Sequence, residues 1–525
     1  MTVYILLMRL VRFVYLCKSV NKLKNFLILI FFIRQSINIM ERTLPSTINF
    51  QDVLPLSVPA IARRRRFYPQ NGTSFNSGGT NEIRIEISSP NSLLDAGHSY
   101  LEFEVVNNNA AATLGFDMGG GAILFDTVRV EQGGRVLSEL QAYNRLHASI
   151  IDPVQVSYQG KMTQSITGGQ RGANGAAGVA GAVAPAAVGF GGDTYSNQKH
   201  NIDTQVPAAG ARNYRFTMPI TSGLFTQDKL IPLPLVRQDS PITISLIMTA
   251  PENVGVWSAA PAATDITIQK ISYTAQLIEV GGDVIQQIRQ TQAMMGGQLV
   301  ISGQDWEHQT GLVPAGTTGE TVVRMPSRKR SINSLFWTAQ SDVYGPPDGA
   351  AGQAVDNCYN MSFCGSPNVD TYQVKVGSVV YPPTPINAPG DMVVGAAFQR
   401  GEAVMELAKA FGTLGFVNPT GRLSTSSWGT DAVGIADGDN GGGGLNFAPQ
   451  SEDPICCAPF GIDLTSFQHE ALEAGVDTKT MSQESNLILN IDAAGSGAQN
   501  KTIHMWIIYD QFYLFNTNGM ITFNN

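Results

Sequence analysis

Charge is scarce in this 525-residue chain: Asp, Glu, Lys and Arg together make up 14% of it, too little for a protein built of long solvated helices. Cysteine is scarcer. The five present (Cys17, Cys358, Cys364, Cys456, Cys457) are odd in number and have no C-x-x-C spacing, which excludes a disulfide framework and a thiolate zinc site and fits assembly in a reducing cytosol. Long apolar runs are missing too. Val3 to Leu16 is interrupted by Arg9 and Arg12, and Phe26 to Ile33 is eight residues long, short of the roughly 18 to 20 that span a bilayer. The motifs of common chemistry are also absent. No G-x-S-x-G elbow or P-loop is present, and Gly441 to Gly444 lacks the following Lys-Ser/Thr of a phosphate cradle. The six histidines (His98, His147, His200, His308, His469, His504) show no zinc spacing and are expected to satisfy local hydrogen bonds. His469-Glu470 beside Glu473 reads as a solvated turn, not a general base. Asp437, Asp439 and Asn440 suggest calcium, but Gly441 fills the fifth loop position and no terminal Glu follows. No catalytic residue, cofactor or metal is expected, and the chain does not read as an enzyme.

What is present is turn chemistry. The 54 Gly and 27 Pro mark loop-rich β-structure, and the length exceeds what one core usually serves, so two β-domains of roughly 200 residues each are expected. The net charge of −8 is unevenly spread: residues 1–39 hold six basic residues (Arg9, Arg12, Lys18, Lys22, Lys24, Arg34) and no acid, leaving 28 basic against 42 acidic residues in the rest. An acidic body repels a phosphate backbone, which argues against broad nucleic-acid coating. Three readings of residues 1–39 stay open: an upstream extension with the start at Met40, a basic amphipathic arm at a membrane, or a signal peptide. The sequons at Asn71, Asn360 and Asn500 are expected to be idle.

Period-two alternation predicts strands at Ile83 to Ile87 and Tyr100 to Val105, separated by turns at Ser88-Ser89-Pro90-Asn91 and Asp95-Ala96-Gly97. Further strands are expected at Leu124 to Glu131, Tyr214 to Ile220, Ile242 to Met248 and Ile266 to Val280, with a helix at Val136 to Ile151 and a connecting helix at Val284 to Met295. Residues 159–212, rich in Gly and Ala, cannot build a core and read as a long loop. The second half shows strands near Gln298 to Ser302, Thr321 to Met325, Ile332 to Gln340, Tyr372 to Tyr381, Leu487 to Ile491 and Ile503 to Phe515, one helix at Phe398 to Phe411, and a Pro-rich loop at Tyr381 to Gly390. Two halves of similar style suggest a duplicated sandwich.

Several stretches occur in a familiar order. Asn91-Ser92-Leu93-Leu94-Asp95 leading to Ser99-Tyr100-Leu101-Glu102-Phe103, then Leu124 to Val130 with Gly133-Gly134, then Leu140-Gln141-Ala142-Tyr143-Asn144-Arg145-Leu146, resemble the first jelly roll of double jelly-roll major capsid proteins of eukaryotic DNA viruses, of the polinton-like virus and virophage type. Met218-Pro219-Ile220, Ser222 to Phe225 and Lys229 to Leu233 are similar to the segment closing that roll. Pro459 to Leu464, Glu473 to Thr478 and Trp506 to Tyr513 resemble the last strands of the second. The resemblance implies an all-β fold of two tandem eight-stranded jelly rolls with a few short helices in loops. It implies homotrimers forming pseudo-hexameric capsomers that tile an icosahedral shell, with penton or minor capsid proteins as further partners. The location implied is the virion, after assembly in the host cell. The expected division is an extension (1–39), an N-terminal arm (40–79), the first roll (80–282), a linker (283–299) and the second roll (300–525).

Arg63, Arg64, Arg65 and Arg66, beside Phe67 and Tyr68, form the one dense charge cluster of the body. Capsid jelly-roll N-termini commonly lie inside the shell, so these four are expected on the inner face, contacting the viral genome or an internal membrane. Arg328-Lys329-Arg330 reads as strand-edge charge that discourages stray pairing. The competing readings are a minor capsid or penton subunit, for which one roll suffices, and a carbohydrate-binding attachment sandwich, which calls for clustered aromatics where the five Trp are dispersed.

Overall fold

The computed structural model describes residues 60–110, 114–116, 120–151, 205–206, 214–226, 229–257, 261–341, 369–388, 401–412, 459–466, 475–479, 484–493, 496 and 500–524. Among them every strand pairing is antiparallel. The strands run in order β1 (Ala60–Phe67), β2 (Ser74–Phe75), β3 (Glu82–Ile87), β4 (Ser92–Asn107), β5 (Leu114–Phe116), β6 (Phe125–Gln132), β7 (Arg135–Leu140), β8 (Gln205–Val206), β9 (Tyr214–Met218), β10 (Ile231–Pro232), β11 (Ile242–Met248), β12 (Gly255–Trp257) and β13 (Ile266–Val280). They continue with β14 (Gln298–Val313), β15 (Gly319–Met325), β16 (Ile332–Ser341), β17 (Val369–Val376), β18 (Val379–Asn387), β19 (Phe460–Asp463), β20 (Ser485–Ile491), β21 (Lys501–Asn516) and β22 (Ile521–Asn524).

The first roll faces a six-stranded sheet, β1-β13-β4-β10 with β2 and β9 attached, against a four-stranded sheet, β3-β11-β6-β7. Alternation puts Leu101, Phe103 and Val105 of β4 inside with Ile83, Ile85 and Ile87 of β3. Phe103 is the hinge pin between the layers: it meets Phe125 of the opposite sheet edge-on at 5.4 Å and stacks on Phe216 of its own at 5.6 Å. The second roll repeats the plan with β14-β21-β16-β19, plus β22, against β15-β20-β17-β18. There Trp337 of β16 stacks on Phe460 of β19 at 4.0 Å, and Tyr372 of the facing sheet meets Trp337 edge-on at 5.6 Å. Both halves are therefore sandwiches, and together they make the double jelly roll.

β11 and β13 have the bounds that alternation predicts. Other expectations are corrected. Val136 to Ile151 is not one helix: a turn with Gly133 and Gly134 at φ +58 and +78 folds β7 back onto β6, and only Tyr143–Leu146 and the π turn His147–Ile151 are helical. Hairpin geometry, set by two glycines that tolerate positive φ, wins over helical spacing. Asp95-Ala96-Gly97 does not end a strand but lies in a bulge of β4, where the register against β13 shifts. Tyr372 to Tyr381 is the hairpin β17–β18, turning at Gly377 with φ +61. The Pro-rich stretch after it is strand β18, and its position at the edge of the sheet is what permits Pro382, Pro383 and Pro385. Residues 1–59, the loop 159–212 apart from β8, Asp437, Asp439, Asn440 and His469 fall outside the described residues.

Candidate functional site

Two features of the described residues are candidates for work beyond folding: the arginine strand at the start of the first roll, and the seam where the two rolls meet.

Arg63 to Arg66 lie on β1, which pairs along β13 from Ala60↔Val280 to Phe67↔Tyr273. This strand leaves no mark in the sequence because its first seven residues are all exposed and carry no inward-outward alternation. Pairing divides the cluster between two faces. Arg64 and Arg66 share one face with β4, where Arg64 donates to the Tyr100 hydroxyl and Arg66 Nη2 lies 3.0 Å from Glu102 Oε2. Arg63 lies 3.2 Å from Glu279 on the other, and Arg65 sits over the Phe67 ring at 4.9 Å. The first face continues as a ladder of charge. Arg215 of β9 bridges Glu102 at 3.3 Å and Glu104 at 2.9 Å, and Lys270 of β13 takes Glu104 at 2.9 Å. Lys270 reaches this face from a bulge in β13, at a φ of +53 that non-glycine residues seldom adopt. Burial alone pushes the Glu104 carboxyl up, but hydrogen bonds and charge from Lys270 and Arg215 outweigh it and hold the group below its usual range. Arg64, Arg66, Arg215 and Lys270 against Asp95, Glu102 and Glu104 leave this face with one cation in excess, in a body where acids outnumber bases.

The seam is polar and buried. Asp305 on β14 accepts from Ser138 Oγ of β7 at 2.9 Å, from the Gly223 amide at 3.0 Å and from the Trp306 amide at 2.9 Å. Burial pushes its carboxyl up against the pull of the Trp306 amide, Ser138, the Gly223 amide and Lys329. Gly223 has no side chain because a Cβ there would run into Tyr513 and Asp305. Gln132 of β6 donates to Gly519 O at 2.8 Å and accepts from the Ile521 amide at 2.6 Å, and Gln511 donates to Leu137 O at 3.0 Å. Across the β14–β21 ladder from Asp305, Arg145 of the first roll contacts His504 of β21. Asp305 and His308 differ in parity along an unbroken register, so the first roll touches both faces of that ladder. Lys329 does not act as strand-edge charge. It is tucked beneath the seam, 3.9 Å from the Tyr509 ring centroid and 3.6 Å from Glu307.

Asn71 holds the backbone of β3 through Glu82 O at 2.6 Å and the Arg84 amide at 3.1 Å, so its amide nitrogen is occupied. Among the described residues no group of three or more His, Cys, Asp or Glu could hold a metal ion, and no helix is long and apolar enough to cross a membrane.

No protein-family model matches the sequence, and no curated protein resembles it in sequence. Solved structures do resemble the fold. PBCV-1 VP54, as fitted into a cryo-EM reconstruction of the virophage Sputnik, has a TM-score of 0.55 at 9% identity, covering 91% of this chain and 99% of that one. The Faustovirus major capsid protein has a TM-score of 0.51 at 10% identity, covering 90% and 93%. A chain of the quasi-atomic PBCV-1 capsid has 0.50 at 11%, covering 91% and 99%. At such identities the likeness is one of fold: this chain has the double jelly-roll architecture of these viral capsid proteins over nearly its whole length.

Proposed function

We propose that this chain is the major structural subunit of an icosahedral virion shell, working as homotrimers whose six rolls make a pseudo-hexagonal capsomer. The observation that carries the reading is the seam. A chain whose two rolls are locked side by side by Asp305, Gln132 and Gln511 supplies one third of a six-roll ring, and a three-fold rotation closes it. The full-length fold likeness to capsid subunits supports the same reading. Val300, Leu312 and Val322, on the edge strands β14 and β15, remain 42%, 58% and 52% exposed. They are the kind of apolar surface that copies of the chain bury in obligate contacts of more than about 2,000 Å². The role is mechanical, not catalytic, with copies of the chain and penton or minor capsid proteins as partners, and its place is the virion after assembly in the host cell.

We propose further that the cationic face around Arg64 and Arg66 turns inward and meets a phosphate-bearing interior partner, the genome or an internal membrane, locally and not as a general coat.

Size-exclusion chromatography with light scattering tests the subunit reading. A stable species of three times 56.3 kDa supports it, and a folded monomer at micromolar concentration overturns it.

A further inference from the structure

His308 and His504 stand on neighbouring strands of the second roll, and Arg145 belongs to the first. The two imidazoles meet edge to edge, with centroids 5.3 Å apart and planes 14° from parallel. Trp506 lies against both, at 5.2 Å and 5.9 Å. His308 Nε2 is 3.1 Å from His504 Nδ1, and Arg145 contacts the other ring nitrogen of His504, Nε2. A guanidinium has only donors to offer, so Nε2 of His504 is a bare acceptor. His504 then carries its one proton on Nδ1 and donates it to His308 Nε2, which is bare as well. The result is a directed chain from Arg145 through His504 to His308, in which a further proton on either accepting nitrogen sets donor against donor.

We propose that Arg145, His504 and His308 form an acid-sensitive latch between the two rolls, closed while both imidazoles are neutral and released when either takes up a proton. The latch stands on the seam's own geometry and is independent of what the assembled protein encloses.

The surroundings favour the neutral pair. Burial and then the Arg145 charge hold His308 down to about 4, and burial, Arg145 and His308 hold His504 well below its ordinary value. Among the described residues the charges acting on the pair are Arg145 and the imidazoles themselves. Glu307 and Asp305 face the other side of β14, where Glu307 takes Ser327 at 2.7 Å and Lys329 at 3.6 Å. His147, two residues from Arg145, packs against Tyr143 at 4.5 Å, and burial lowers it to about 4.

The sign follows from linkage. A released imidazole returns to an ordinary pKa of about 6.5. Above that value neither form binds protons and the closed latch keeps its full advantage. As pH falls from about 6.5 towards the depressed closed-state values, the open form binds protons that the closed form refuses, and each histidine shifts the balance towards opening about ten-fold per pH unit. The useful window is mildly acidic, from about 6.5 down to about 4.

Hydrogen exchange on the full chain, corrected for the intrinsic effect of pH, tests this at two amides that cross the seam elsewhere: Arg237, which donates to Gly519 O, and Ile521, which donates to Gln132. Protection is expected to be level above pH 6.5 and to fall between ten-fold and a hundred-fold per unit below it. H308Q/H504Q, which keeps neutral donors and acceptors, flattens that fall by at least ten-fold per unit, while H98Q, at an exposed site outside the seam, leaves it unchanged. A level wild-type profile, or a double variant with the wild-type slope, overturns the latch. If the double variant does not fold, carbon-13-labelled histidine in the wild-type chain decides: two imidazoles that stay neutral well below 6.5 support it, and both titrating near 6.5 in the folded chain overturn it.

Discussion

Ser138 donates to Asp305 at 2.9 Å, 167 positions away along the chain, and this bond ties the first roll to the second inside a shell of buried atoms. Because Gly223 and Trp306 also donate to the same carboxyl oxygen, removing it strands three donors at once.

Asp305→Ala is therefore expected to cost about 2 to 4 kcal/mol, the range for buried donors left without acceptors. Asp305→Asn keeps an accepting oxygen and is expected to cost less than about 1 kcal/mol, since burial already disfavours the charge. Urea unfolding of the two variants under one buffer checks the ordering.

Gly223→Ala tests the same place by volume. The added methyl meets Tyr513 and Asp305, and the variant is expected to lose about 1 to 3 kcal/mol, the usual cost of overpacking. A thermal midpoint equal to wild type contradicts the close approach described here.

In the second roll, Trp337 is fully buried and its indole nitrogen has no acceptor. Trp337→Ala is expected to cost about 3 to 5 kcal/mol through the cavity it leaves. Trp337→Phe keeps a ring against Phe460, removes the unpaired donor, and should cost markedly less. Calorimetry of both variants separates the packing and polar contributions.

The arginines of β1 are expected to divide by face. Arg64→Ser with Arg66→Ser should weaken particle assembly or genome retention, because these two belong to the cationic ladder. Arg63→Ser with Arg65→Ser should leave both near wild type. Particle yield and packaged nucleic acid from the two double variants give the comparison, and equal effects would deny any particular role to the face that carries Arg64 and Arg66.

How much of this was legible in the sequence depended on range. β3, β11 and β13 were readable because alternation is a local signal, and the two-roll plan was readable from ordered stretches in both halves. β1 was not, because an edge strand exposed on both faces has no periodic mark. The helix expected over Val136 to Ile151 failed because Leu137 and Leu140 suit a buried strand face as well as a helical one, and the Gly133-Gly134 turn decided between them. The seam was illegible throughout. Asp305 lies past the strand expected at Gln298 to Ser302 and carries no mark of its own, and His308 and His504, 196 positions apart, are expected to serve only local bonds. Their meeting is set by β14 pairing with β21, which no local pattern encodes.

Gln132 shows what that long reach means in time. The side chain belongs to the first roll, yet its carbonyl and amide find their partners at Ile521 and Gly519, 389 and 387 positions later. A nascent chain cannot make these two contacts of its first half until residues 519 and 521 have left the ribosome. Contacts of such long range are slow to form in folding, and without Gly519 and Ile521 the Gln132 amide keeps only Ser240 O, at 3.1 Å, while its carbonyl loses the Ile521 donor.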